Sequence, residues 1–558
     1  MADNADHTDE QTSRTAHSLP HGLTVSMFTI AASLGILLIC RNLWPAENLL
    51  ALIVHGSAVL CLVWGLAAHA FIRLSPSPLT GVRHDVVSAV QVTQLVLGLV
   101  VAIVMLYLAI TAVLARMFQP HVQIAIWPSG MLDISVVAIA VLLAWWRTGN
   151  GVLMTSLMWL LTLMSLWSAL QVPAYVIREV HGIPFEVPLD WISPFVLGTA
   201  FVVAAFTVLA GIIEHRRRVT AWPDDLDNLV TPAPAWPGFG YSAGIISVIV
   251  LVVGCITVVS PLTAIAAFLA GASMLALANR RWNENFADAG MGLITLGVVS
   301  LLMLGVPDTS AGLAGYFAAV FSRTLLGLAL MTGFWHWLAA VWDQQLDNGR
   351  PWTTAGNLIH PCHRVGFILG TAGVLVAFNL AFWPKLPAVY NADDTLRRWI
   401  WGLLGHLMLI AALMRSARRT GKPTLAWLAL FAAISLAAFV LIRASRTVLY
   451  TGFLEFWPVI LAIVAGVLIL LARLANHSRS WKPFFEPAYA TGVLFNPLIA
   501  ICGASLIHSN AFPRWVESTT FAVLTLDYLL AAFVAGPRRL VILAGVCAAA
   551  TAVKLAGR

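Results

Sequence analysis

Apolar residues in this chain come in long unbroken runs. From Val136 to Trp146 every residue is apolar, and many other runs of similar character follow one another with short polar breaks between them. A strand facing lipid on one side would alternate apolar and polar positions over about ten residues. A continuous run instead demands a structure that satisfies its own backbone amides, which a helix does. Crossing a hydrocarbon layer about 30 Å thick takes about 20 such residues at about 1.5 Å of rise each. By this rule the chain holds about 17 spanning helices, with 15–18 compatible with the pattern. They run from Leu23–Cys40 through Ile124–Trp146, Val152–Ile177, Val365–Trp383, Trp399–Met414 and Thr491–Ile507 to Leu540–Leu555.

Composition agrees. Of 558 residues, 60% are hydrophobic and 10% charged, against about a quarter charged in ordinary globular proteins. The expected class is therefore an all-α, polytopic helical integral membrane protein with no soluble domain. Four parts are expected: a disordered cytoplasmic tail (1–21), a bundle of about six spans (22–215), a Pro-rich cytoplasmic linker (216–240) and a bundle of about eleven spans (241–558). The tail carries Asp3, Asp6, Asp9 and Glu10 against Arg14. That is the wrong charge for a cleavable signal, so the first span is expected to be retained.

The net charge of +7 reads as loop asymmetry rather than as a nucleic-acid surface, because no soluble module carries a basic stripe. With the N-terminus in the cytoplasm, 20 basic residues fall on the inner side and 11 on the outer, Arg323 lying within a span. This points to an inner (cytoplasmic) membrane protein. Lys occurs at only four positions against 28 Arg, a bias that suggests a GC-rich bacterial genome.

Catalytic and nucleotide-binding chemistry finds no support. Thr420-Gly-Lys-Pro-Thr424 echoes the tail of a phosphate-binding loop, but Ser416 stands where the first glycine belongs and Pro423 where the Mg²⁺-binding hydroxyl belongs. Direct nucleotide binding is not expected. The six cysteines form no Cys-x-x-Cys pair and read as small packing residues. His360, Cys362 and His363 crowd into four residues around Pro361, poor spacing for a metal, and read as a solvated loop. No metal site is predicted, and the chain is more readily read as something other than an enzyme.

What remains are ionisable residues inside spans. Each costs about 2.5–3.5 kcal/mol at mid-bilayer on insertion scales, so each should face protein or water. Asp133, Arg323, His336, His406 and Asp527 are the candidates for an ion or polar pathway, with Asp133 or Asp527 as charge partners for Arg323. His55 and His69 share one span; 14 residues at about 100° each place them on one stripe, about 21 Å apart. This spacing resembles the haem-ligating pairs of cytochrome b-type membrane proteins, and the resemblance covers that one helix. It implies haem b held by His55 and His69, in an electron-transfer subunit.

Three functions follow as expectations. The first is a transporter or channel-like subunit for a small solute or ion, with helix breaks at Pro128-Ser-Gly130 and Pro173 and no resident cofactor. The second is the haem-bearing subunit. The third is a membrane enzyme acting on lipid-linked substrates through acidic loop residues such as Glu186 or Asp393. The lipid bilayer is the expected partner, with room for other membrane subunits.

Overall fold

The computed structural model describes residues 26–39, 41–42, 49–73, 82–118, 130–148, 151–171, 177–180, 183–186, 191–219, 236–255, 258–281, 284–304, 312–347, 356–382, 392–443, 448–506, 514–536 and 538–556. They form α1 (Ser26–Ile39), α2 (Leu49–Arg73), α3 (Val82–Phe118), α4 (Gly130–Thr148), α5 (Gly151–Leu170) and α6 (Ile192–Val219). Then come α7 (Trp236–Ile249), α8 (Pro261–Arg281), α9 (Glu284–Met303), α10 (Gly312–Asp347), α11 (Gly356–Phe382), α12 (Ala392–Thr420) and α13 (Pro423–Arg443). The last are α14 (Val448–His477), α15 (Phe485–Ala490), α16 (Asn496–Leu506), α17 (Arg514–Ala535) and α18 (Arg538–Ala556). Fifteen helical segments among the described residues are long and apolar enough to cross a membrane, and two shorter apolar helices, Ser26–Ile39 and Gly130–Trp146, join them. Each of the seventeen matches one run read from the sequence. The chain is a helical multi-pass membrane protein.

Between α5 and α6 lies a small antiparallel hairpin, Ile177–Val180 with Ile183–Glu186, in register Ile177↔Glu186 and Val180↔Ile183. The sequence reading carried the α5 span on to Ile177, but the helix ends at Leu170. Pro173, the expected break, lies outside the described residues.

Packing divides the chain into two units, Met1–Leu301 and Leu302–Arg558. In the first, α2 packs on α3 and α4, α4 on α5, α5 on α6, and α6 on α8. Helices on both sides of segment 216–240 thus share one core, in which Trp167, Ala210, Phe239 and Met274 are buried together. The packing boundary falls after Leu301 rather than at the Pro-rich segment. Which apolar faces meet is settled by side-chain shape. In the second unit, α10 packs on α11 and α12, α13 on α11 and α12, and α14, α17 and α18 form a separate cluster.

Two helices pass through π-helical turns, Val250–Cys255 after α7 and Thr491–Phe495 between α15 and α16. Pro497 explains the second: it has no N–H to give the carbonyl of Val493, so the ladder opens there. The α12–α13 turn explains the false phosphate-loop motif. Gly421 takes φ +69°, its N–H donates to the Ala417 carbonyl at 3.0 Å, and Pro423 opens α13. Gly just past one helix and Pro at the start of the next are helix-end chemistry.

Candidate functional site

The second unit contains a cavity of about 690 Å³ among α10, α11 and α12. Its walls combine apolar side chains (Leu330, Phe334, Met408) with His336, His363, Asp343, Arg415, Arg419 and Lys422. Consecutive helices run in opposite directions here. The end of α10, the start of α11 and the end of α12 therefore meet at one end of the bundle, bringing these groups together from positions up to 86 residues apart.

His336 is the buried element of this wall, 5% exposed. Its Nδ1 lies 3.2 Å from Nδ1 of His363, with the ring centroids 5.5 Å apart. One ring donates and the other accepts, so the pair shares a single proton between the two facing nitrogens. Nε2 of His336 has no hydrogen-bond partner. The ring lies against Gly366, where a Cβ would come within 2.8 Å of Nε2, so a glycine is what lets α11 approach.

The sequence reading placed His360, Cys362 and His363 in a solvated loop. They instead lie on α11, which begins at Gly356 and carries Pro361 inside it. Cys362 is fully buried and His363 faces His336. Pro361, the sixth residue of this helix, has no N–H to give to the Asn357 carbonyl, yet the helix starts nine residues before the apolar run did. No group of three or more metal-ligating side chains occurs among the described residues.

The other candidates are dispersed. Arg323 donates from Nη1 to the Leu302 carbonyl at 2.8 Å, and its guanidinium lies 5.6 Å from the Trp401 ring centre. This neutral acceptor was not foreseen. His406 is fully buried; its Nδ1–H donates to the Gly402 carbonyl at 2.7 Å, which leaves Nε2 to accept from the Ser435 hydroxyl at 3.1 Å, while Phe439 packs on the ring. Asp527 on α17 is 6% exposed, its Oδ1 lies against Gly466 of α14, and its Oδ2 has no hydrogen-bond partner.

Asp133 pairs with His55. Nδ1 of His55 lies 2.7 and 2.6 Å from the two carboxylate oxygens, joining α2 to α4. Asp133 stands in the first turn of α4, where the helix dipole favours a negative charge. Gln94, fully buried, donates to the Ala140 carbonyl at 2.7 Å and ties α3 to α4. His69 keeps a buried Nδ1 with no partner. The side chains of Glu186 and Asp393 lie outside the described residues.

Sequence reading named His336 as a pathway candidate and His363 only as part of a solvated loop. Arg415, Arg419 and Lys422 were taken as loop charges because the apolar run stops at Met414. The helix continues to Thr420, and the i, i+4 spacing of Arg415 and Arg419 was the available signal that they share a face.

Compared with protein-family models, with curated proteins and with solved structures, the chain matches none.

Proposed function

We propose that this multi-pass membrane protein is a transporter or channel-like subunit for a small solute or ion. The observation that carries this reading is the cavity among α10, α11 and α12: a space of about 690 Å³ with polar and charged walls, set among helices long enough to cross a bilayer. Charged groups are expensive in lipid and are retained where they serve a path for polar solutes. A structural pair would bury its charges against each other; here the polar groups line an open space instead. The loop charges favour a cytoplasmic N-terminus in the cytoplasmic membrane, which puts the Asp343–Lys422 end of the cavity on the cytoplasmic side.

The test is flux. Purified protein reconstituted into sealed liposomes should move at least one class of small ion or polar solute faster than protein-free liposomes, and His336→Leu should slow that movement at least tenfold. Folded, monodisperse protein that conducts none of a panel of inorganic ions, organic acids, amines and sugars would overturn the proposal.

A further inference from the structure

We infer that the cavity is an oxyanion-binding site, its ligand a phosphate- or carboxylate-bearing group held by Arg415, Arg419 and Lys422. This rests on the proposed solute path and names its cargo chemistry.

Cations at a helix C-terminus have an ordinary explanation, since they complement the helix dipole and meet lipid headgroups. The last turns of α12 allow the two roles to be separated. Arg418 turns toward Trp481, its guanidinium 4.4 Å from the ring centre. Arg415 and Arg419, one turn apart, line the cavity, and Lys422 reaches it from beyond the Gly421 turn. Three like charges thus converge on one concavity, where dipole compensation alone would be served as well by dispersed ones.

No ion pair among the described residues neutralises them. Among the described residues Asp343 is the one carboxylate on the wall, and it forms no ion pair with any of the three. The hydroxyls of Ser416 and Thr420 also line the space but donate to their own helix, to the Ala412 and Ser416 carbonyls at 2.7 and 2.8 Å. The charged donors that face the space are the guanidinium and ammonium N–H groups. All three side chains are exposed and within reach of a soluble anion, and the guanidinium fork matches the paired oxygens of carboxylate or phosphate. His336, more than nine-tenths buried with Nε2 unpartnered, backs the same wall.

The same chemistry is offered by a free solute and by an anionic lipid headgroup, and the experiment separates them. Full-length protein in phosphatidylcholine nanodiscs is titrated with inorganic phosphate and with succinate, each replacing chloride at constant ionic strength, and the thermal unfolding midpoint is followed. A saturable rise is expected for at least one of the two anions. In Arg415→Gln/Arg419→Gln the half-saturating concentration should increase at least tenfold, and in Arg418→Gln it should not change. A rise that appears only when phosphatidylglycerol is added to the nanodiscs, and is lost in the double variant, assigns the oxyanion to a lipid headgroup and supports the site. Should the double variant fail to fold, Lys422→Gln gives the same reading with a smaller shift. No response to any of the three probes, or a double variant that responds like wild type, overturns the inference. Solute flux that survives Arg415→Gln/Arg419→Gln removes the anion site but leaves the transporter. Anion binding without any flux does the reverse.

Discussion

The His336–His363 contact makes a quantitative prediction about coupling. His336 is almost fully buried and already has one nitrogen without a partner. Replacing His363 by Ala removes the 3.2 Å contact and leaves the second ring nitrogen of His336 stranded as well. A lost hydrogen bond is worth about 1 kcal/mol, and a stranded buried polar group costs about 1–3 kcal/mol more. His363→Ala should therefore lower stability by about 2–4 kcal/mol. His336→Ala loses the same bond and opens a hole beside Gly366, with a cost of similar size. The double variant pays for the hydrogen bond once and strands neither ring. Its loss should fall short of the sum of the singles by about 1–2 kcal/mol, within the range for directly coupled groups. The assay is a double-mutant cycle on reversible unfolding in mixed micelles, with denaturing detergent as titrant. Additive losses within about 0.3 kcal/mol would refute the coupling and show that the two rings do not depend on each other.

Other parts of the structure predict different responses. Asp527→Ala should raise stability by about 1–2 kcal/mol, because a buried carboxyl with an unpartnered oxygen is a net cost; a drop in the unfolding midpoint would show that the carboxyl is satisfied. Gly421→Ala, at φ +69°, should cost about 1–2 kcal/mol through left-handed strain, read in the same unfolding assay, and an unchanged midpoint would contradict the turn. His406→Leu should destabilise by about 2 kcal/mol, by leaving the Ser435 hydroxyl without its acceptor, yet leave anion response intact; loss of that response in folded protein would place His406 in the site. Purified protein should show no Soret band, and a band abolished by His69→Ala would restore haem at His55 and His69.

Much of the fold was legible because the bilayer imposes a one-dimensional rule. Any run that crosses lipid must be long, apolar and helical, so the runs beginning at Leu23 and ending at Leu555 map one by one onto observed helices. Helix ends were less legible. The apolar run ending at Met414 marks where lipid contact stops, but backbone hydrogen bonding does not stop there, and Arg415 and Arg419 sit on the same helix beyond it. For the same reason His363, two residues before the apolar run that begins at Val365, proved helical and central.

Sequence alone thus determined the class, the succession of apolar helices and the small set of residues too polar to face lipid, because each of these depends only on a residue and its near neighbours. Tertiary structure decided who meets whom. Asp133 could have served Arg323 and instead holds His55; His336 found His363; Arg415 and Arg418, three residues apart, went to different neighbours. Those choices follow from helix rotation and the fit of small residues such as Gly366 and Gly466 against their partners, and a hydropathy pattern carries no information about either.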